Sequence, residues 1–187
     1  MNAIILAAGS GKRIREDVKD LPKSLLMVNG KPIIAYQIQA LKQAGINDII
    51  VITGAHSEKF EIENVRYIKD HHYNEHDILG SLLEAKDFLK NDVLVLYSDI
   101  IFESKILRQI LDSKGDVSIA IDMAWEKMYE GRMEHPKYEA ENVQLNKAKK
   151  IIKIEKNIKN KNNDVGEFLG IIKFSPYGSG LFVKQYE

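Results

Sequence analysis

Three short runs of almost unbroken apolar residues constrain the fold of this chain more than any other feature. They are Ile4-Ile5-Leu6-Ala7-Ala8, Ile49-Ile50-Val51-Ile52-Thr53 and Val93-Leu94-Val95-Leu96-Tyr97. None alternates polar with apolar positions, so each reads as a strand buried on both faces. Helical patterns lie between them. Asn29-Gly30 marks a tight turn, Pro32 opens a helix that runs to about Gly45, and Ile34, Ile38 and Leu41 share one of its faces. Gly45 is the expected C-terminal cap. Ser81 with Glu84 fits a capping box for a second helix running to about Leu89. Ile106, Leu107, Ile110 and Leu111 define one side of a third. Val65–Ile68 and Val117–Ile121 add two further strands, the latter ending at Asp122. Alternation of strand and helix over the first 120 residues predicts an α/β fold. Its sheet should be open and mostly parallel, with helices on both faces.

The pattern changes after Asp122. Residues 123–140 are irregular, 142–155 read as a β-hairpin, and 168–174 as a returning strand. A length of 187 residues suits one domain. The change of pattern sets a first part over 1–122 apart from a smaller subregion over 123–187. The composition is that of an ordinary soluble protein, 44% hydrophobic and 29% charged. Lys plus Arg (27) balance Asp plus Glu (27), which argues against a nucleic-acid coat protein. The lysines between Lys147 and Lys161 lack the interleaved aromatics of a nucleic-acid surface and read as a solvated hairpin rim. The absence of Cys removes disulfides, thiolate zinc sites and cysteine nucleophiles, and fits a reducing cytoplasm. No apolar run approaches the ~20 residues needed to span a bilayer, and Met1-Asn2-Ala3 offers no basic segment ahead of the first apolar run.

The loop after the first strand carries the strongest chemical signal. It reads Leu6-Ala7-Ala8-Gly9-Ser10-Gly11-Lys12-Arg13, and Pro22-Lys23 follows ten residues on. In open α/β sheets ligands gather beyond the carboxyl ends of the strands. Small residues there let backbone N–H groups approach a phosphate, and Arg13 can bind phosphate oxygens bidentately. Two familiar motifs do not fit. A P-loop needs Gly where Leu6 stands and Ser or Thr where Arg13 stands, and a dinucleotide fingerprint needs Gly where Ile14 stands.

At these residues the sequence resembles the nucleotidyltransferase superfamily that makes sugar and amino-alcohol nucleotides, whose signature loop is Leu-Ala-Ala-Gly-x-Gly-x-Arg with a downstream Pro-Lys. The likeness continues through Asn29-Gly30-Lys31-Pro32-Ile33. The branch it most resembles contains the phosphocholine and the phosphonate (2-aminoethylphosphonate) cytidylyltransferases. That likeness rests on Tyr36-Gln37, Gly45–Ile49, Thr53-Gly54, the loop from Asn74 to Ser81, Tyr97–Phe102, Ala120-Ile121-Asp122 and Gly166–Gly170. The resemblance implies a Rossmann-like sheet of the nucleotide-diphospho-sugar transferase type, one domain with a nucleotide-binding part over 1–122 and an acceptor-binding part over 123–187. It also implies a magnesium-dependent transfer of CMP from CTP to a small phosphorylated or phosphonylated amine, with release of pyrophosphate. Two alternatives stay open: a sugar-1-phosphate nucleotidyltransferase, and a non-catalytic nucleotide-binding regulatory module. The partners implied are CTP and a small anionic acceptor, without nucleic acid or membrane, and a homodimer is admitted.

Both reactants are anions, so the barrier is largely electrostatic repulsion and orientation. By resemblance, Leu6, Ala7, Ala8, Gly9, Ser10, Gly11 and Lys12 cradle the nucleotide, while Arg13 and Lys23 neutralise the triphosphate as the catalytic cations. Thr53, Gly54 and Ser81 help to recognise the base, with Gly80-Ser81 offering free N–H groups at a helix start. Asp99, at the carboxyl end of a buried strand, is the candidate Mg²⁺ ligand. Mg²⁺ takes few protein carboxylates and fills its remaining positions with phosphate oxygens and water. The alternative for Asp99 is a turn or helix cap.

Asp122, Trp125, Tyr129 and Glu167 are the candidate acceptor residues. Asp122 could ligate a second metal, meet the acceptor's ammonium or cap its turn. Glu167 could face the acceptor or the metal, or be an ordinary strand residue. Trp125 and Tyr129 could form an aromatic wall for an ammonium group, with Glu139 or Glu141 as counter-charge, or simply pack. His71 and His72 are adjacent and nothing places them on one helical face, so His71, His72 and His76 read as solvated loop residues and not as a zinc site, with His72 or His76 near the substrate as the alternative. Cytidylyltransferases of this kind usually run some tens of residues further, adding a closing helix and commonly a second acidic ligand. Here Pro176-Tyr177-Gly178 begins such a segment, and Asp122 or Glu167 would have to replace that ligand.

Overall fold

In the computed structural model, which describes residues 1–9, 21–132, 136–159 and 162–186, the first apolar run becomes strand β1 (Asn2–Ala7), buried at every position. A small hairpin, β2 (Met27–Val28) and β3 (Lys31–Pro32), leads into helix α1 (Ile33–Gln43). Strands β4 (Ile49–Thr53) and β5 (Arg66–Lys69), helix α2 (Ile78–Leu83), strand β6 (Val93–Tyr97) and helix α3 (Ser104–Leu111) follow. The chain continues through strands β7 (Val117–Asp122), β8 (Glu141–Leu145), β9 (Ile151–Lys156) and β10 (Val165–Phe174), and then helix α4 (Pro176–Tyr186).

The chain forms two compact units. The first contains 1–118 and 171–187, and the second 119–170. In the first unit β1 lies between β4 and β6, parallel to both, and β5 adds to β4 in parallel. Residues 171–174 of β10 pair antiparallel with β6. From β1 the chain therefore builds outward on one side and returns to the other, making the β1/β6 boundary the topological switch point, where open α/β sheets take their ligands. Ile4, Ile5, Ile50, Ile52, Leu94 and Leu96 are fully inaccessible, as continuous apolar strands with both faces covered require.

Local chemistry explains the first elements. Asn29 (φ +48°) and Gly30 (φ +76°) adopt the double positive φ of the tight turn between β2 and β3. Pro32 supplies the N-cap of α1, and Gly45 (φ +82°) follows its C-cap Ala44 in the left-handed conformation. The face that α1 buries is Ile34, Gln37, Ile38 and Leu41, so one position of the apolar stripe is a glutamine. The second helix departs from expectation. It starts at Asp77, whose carboxylate accepts from the Gly80 N–H (2.7 Å), and it ends at Leu83. Ser81 sits inside that helix, and the capping box read from Ser81 and Glu84 does not form.

In the second unit β8 and β9 make the expected hairpin, residues 165–167 of β10 pair antiparallel with β8, and β7 pairs with β10. A Cβ at Gly166 would fall 2.2 Å from Ile121 Cγ2 and 2.8 Å from the Asp122 carbonyl oxygen, so the pairing depends on glycine there. Residues 171–187 belong with the first unit, not with an acceptor part running from 123 onward. The reason is packing: Phe174 stacks near Phe182 (5.5 Å between centroids), and the Ser175 N–H donates to Asp116 O (2.8 Å). No helix among the described residues is long and apolar enough to cross a membrane.

Candidate nucleotide and metal site

The register of the first unit brings three strand ends together. Ala7 pairs with Thr53, and Leu6 pairs with Tyr97. Ala8-Gly9, Gly54 and Ser98-Asp99 therefore leave the sheet along the same edge, at the switch point. Gly54 is held there by a close approach. A Cβ would stand 2.4 Å from the Ala8 carbonyl oxygen and 2.8 Å from Tyr73 Cβ, so only glycine lets the two strand exits lie so close. Leu6, Ala7 and Ala8 are buried and Gly9 is exposed, so the described loop turns outward at Gly9. Ser10, Gly11, Lys12 and Arg13 lie outside the described residues. Thr53 is buried, and its carbonyl oxygen accepts from the Asp70 N–H (2.8 Å).

Lys23 opens a 3-10 turn over 23–25, in which the Leu26 N–H donates to Lys23 O. That turn packs on α1. Helix α1 also carries Gln37, whose Nε2 donates to Tyr97 O (2.8 Å) and Ile100 O (2.7 Å), on either side of Ser98-Asp99. Asp99 itself is exposed, with no hydrogen-bond or ion-pair partner among the described residues. A single exposed carboxylate at a strand end matches the donor set that Mg²⁺ uses, in which phosphate oxygens and water complete the shell.

Ser81 has a different role from the one its position implied. Its N–H donates to Asp77 O (3.0 Å) and the Gly80 N–H to Asp77 Oδ1, so neither is free for a base. The Ser81 hydroxyl donates to Asp70 Oδ2 (2.7 Å). Asp70 follows β5 and is fully buried; it also accepts from the His72 N–H (2.8 Å) and bonds His76 Nδ1 (3.1 Å). Burial pushes its carboxyl up, but the bonds from Ser81, His72 and His76, with the nearby His76 charge, outweigh this and hold it below the ordinary value. Glu84 completes a group whose ligand atoms lie within 4.8 Å of one another. Three hydrogen bonds meet Asp70, and the cluster ties the loop to α2. His76 is therefore a structural partner, not a solvated bystander. Sequence reasoning missed Asp70 although, like Asp99, it is a carboxylate following a strand. Tyr36-Gln37 stands among the branch motifs without a role for Gln37, although a polar residue on an apolar stripe is itself a signal.

The second unit holds the candidate acceptor residues. Trp125 is only 2% exposed, donates Nε1–H to Val165 O (3.2 Å) and meets Tyr129 edge-on. Lys137 Nζ already lies over its ring at 5.3 Å. Trp125 thus packs, and the aromatic wall expected from it does not present an open face. Tyr129 is half-buried, donates its hydroxyl to Glu167 Oε1, and has the Arg132 guanidinium over its ring. Its pKa is pushed up to about 12, by burial first and then by the bond to Glu167 and that carboxylate's charge; Arg132 opposes and Glu139 adds. Asp122 Oδ1 accepts from the Ala124 N–H (2.8 Å), capping its turn.

Residues 3–142 match the model of the MobA-like NTP transferase domain. The chain belongs to that nucleotidyltransferase family. It is 31% identical over 188 residues to the CTP:phosphoglutamine cytidylyltransferase of Campylobacter jejuni, covering 94% of this chain and 73% of that protein. It is 41% identical over 108 residues to the choline-phosphate cytidylyltransferase of Streptococcus pneumoniae, covering 56% of this chain and 47% of that one. The solved CTP:phosphocholine cytidylyltransferase of S. pneumoniae superposes with a TM-score of 0.62 at 28% identity, over 99% of this chain and 77% of that one. The open α/β sheet of the family is the one seen here.

Proposed function

We propose that the chain transfers CMP from CTP to a small phosphorylated or phosphonylated amine and releases pyrophosphate. The observation that carries the reading is the convergence of Ala8-Gly9, Gly54 and Asp99 on one edge at the switch point of the first sheet. The relatives named for CTP and for phosphorylated small molecules support the choice of nucleotide and acceptor class. In this reading the backbone after β1 cradles the nucleotide, and the motif cations Arg13 and Lys23 neutralise the triphosphate. Asp99 holds Mg²⁺, which supplies charge neutralisation at the phosphates when bound. The acceptor oxyanion attacks the α-phosphorus, the bond to the bridging oxygen breaks, and pyrophosphate leaves. The chain's residues lower the barrier by gathering positive charge and orienting the two anions, since neither reactant needs covalent activation. Glu167 and Tyr129 are the polar groups proposed to meet the acceptor.

Two measurements test this. Specific binding to the native form raises stability, so in a thermal-shift panel of the four nucleoside triphosphates with Mg²⁺, CTP should give the largest shift. With CTP and Mg²⁺, phosphocholine or 2-aminoethylphosphonate should release pyrophosphate. Silence across a broad panel of phosphorylated acceptors, sugar 1-phosphates included, would sink the reading.

A further inference from the structure

We propose that Gln37 is the positioning residue for Asp99: through its two hydrogen bonds it fixes the turn that presents this carboxylate to the metal. The inference rests on the reading of Asp99 as the metal ligand. Gln37 is 1% exposed and occupies a position where the helix pattern calls for an apolar side chain. Burying an amide there is unfavourable unless it is hydrogen-bonded, and here only the nitrogen is: Oε1 is buried with no partner among the described residues. Nε2 uses both of its hydrogens, on Tyr97 O at 2.8 Å and Ile100 O at 2.7 Å. Carbonyls only accept, so the orientation of the amide follows from its neighbours. The two carbonyls bracket Ser98 and Asp99, so one side chain on a rigid helix grips both ends of a two-residue turn. Asp99 itself is exposed and has no partner of its own among the described residues. Its placement therefore depends on the backbone that carries it, and Gln37 is the side chain seen to hold that backbone.

The same helix packs on the Lys23 turn. Gln37 thus references the proposed metal ligand to the element that carries the proposed catalytic lysine. A metal site lacking such support keeps its ligand but loses its geometry, and loss of a group that holds a ligand in place typically weakens metal binding 10–100-fold.

Mn²⁺ takes the same oxygen ligands as Mg²⁺, and its binding can be followed by electron paramagnetic resonance in the presence of CTP without any turnover. Gln37→Met, similar in shape but with no donor, should weaken Mn²⁺ binding about tenfold. It should also raise the Mg²⁺ concentration for half-maximal velocity to a similar extent, with the rate recovering at high Mg²⁺. Gln37→Asn, which keeps the amide but falls short of both carbonyls, should behave alike and serves if the methionine variant does not fold. Ile38→Val, on the same buried face of α1, should lose stability without changing Mn²⁺ affinity. Asp99→Asn separates the two levels of the argument. If it binds Mn²⁺ as the wild type does, the metal assignment fails and the inference with it. If it binds weakly while a folded Gln37 variant binds normally, the inference alone is overturned.

Discussion

Ser81 Oγ donates to Asp70 Oδ2 at 2.7 Å, and both residues are buried. The bond fastens α2 to the end of β5. Removing the hydroxyl leaves a buried carboxylate short of one donor, which costs about 1.5–3 kcal/mol for a hydrogen bond to a charged group. Ser81→Ala should lower the urea midpoint accordingly. Asp77→Ala, which removes the actual helix cap, should cost about 1 kcal/mol. The reverse ranking would restore Ser81 as the cap.

Asp70 also gives the fold an acid dependence of known sign. Its carboxyl is held below the ordinary value in the folded state, its burial outweighed by the donors around it. Its contribution is therefore fully present above the unfolded value of about 3.9 and is lost as pH falls through the folded one. The stability difference between the wild type and Asp70→Asn should shrink below about pH 4, as the folded carboxyl takes up its proton. Urea titrations at several pH values measure it. A difference that grows on acidification would contradict the hydrogen-bonded carboxylate.

The strands at the centre of the first sheet were legible because nothing but double burial explains unbroken apolar runs such as Ile49–Thr53. The turn at Asn29-Gly30 and the cap at Gly45 were legible because each demands a positive φ. The start of α2 was not. Ser81 and Glu84 have capping-box spacing, but the donor that Asp70 needed lay eleven residues away in sequence, and a local pattern cannot register it. Of the two readings open for Trp125, packing is the one the fold realises, and its hydrogen-bond partner lies far off in sequence. An irregular stretch gives no periodicity from which to choose, whereas a bond to Val165 and packing on Tyr129 bury this ring. Asp99 stood out as a strand-end carboxylate, but its support by Gln37 spans 60 residues and emerges only from the fold.

Gly54→Ala should disturb the nucleotide edge directly. The new methyl would fall 2.4 Å from the Ala8 carbonyl oxygen and 2.8 Å from Tyr73 Cβ. Both exits must shift, at a cost of about 1–3 kcal/mol. A smaller CTP-induced thermal shift should accompany the lost stability. Gly9→Ala, whose new methyl would meet nothing within 4 Å among the described residues, should lose far less stability.

Lys23→Ala tests the proposed electrostatic role at the triphosphate. Loss of one group that stabilises developing charge typically lowers kcat by about 10²–10³. The turn it leaves is backbone-bonded, Leu26 N–H to residue 23 O, so the fold should survive. Circular dichroism checks the fold, and pyrophosphate release checks the rate. Wild-type turnover in this variant would remove Lys23 from the mechanism.

Tyr129 and Glu167 allow a test of the second unit that needs no substrate. Burial and the Glu167 carboxylate push the phenol up to about 12. A raised folded pKa means that this contribution is complete below the unfolded value of about 10 and is lost as pH rises through the folded one. Above about pH 10 the unfolded chain releases this proton while the folded chain keeps it, so stability should fall with rising pH. Tyr129→Phe should flatten that part of the profile, and Glu167→Gln should bring the phenol's titration down by removing both the charge and the charged acceptor. If the pair also meets the acceptor, both variants should raise the acceptor KM and leave the CTP-induced thermal shift unchanged. A changed CTP shift with an unchanged acceptor KM would assign the pair to the nucleotide instead.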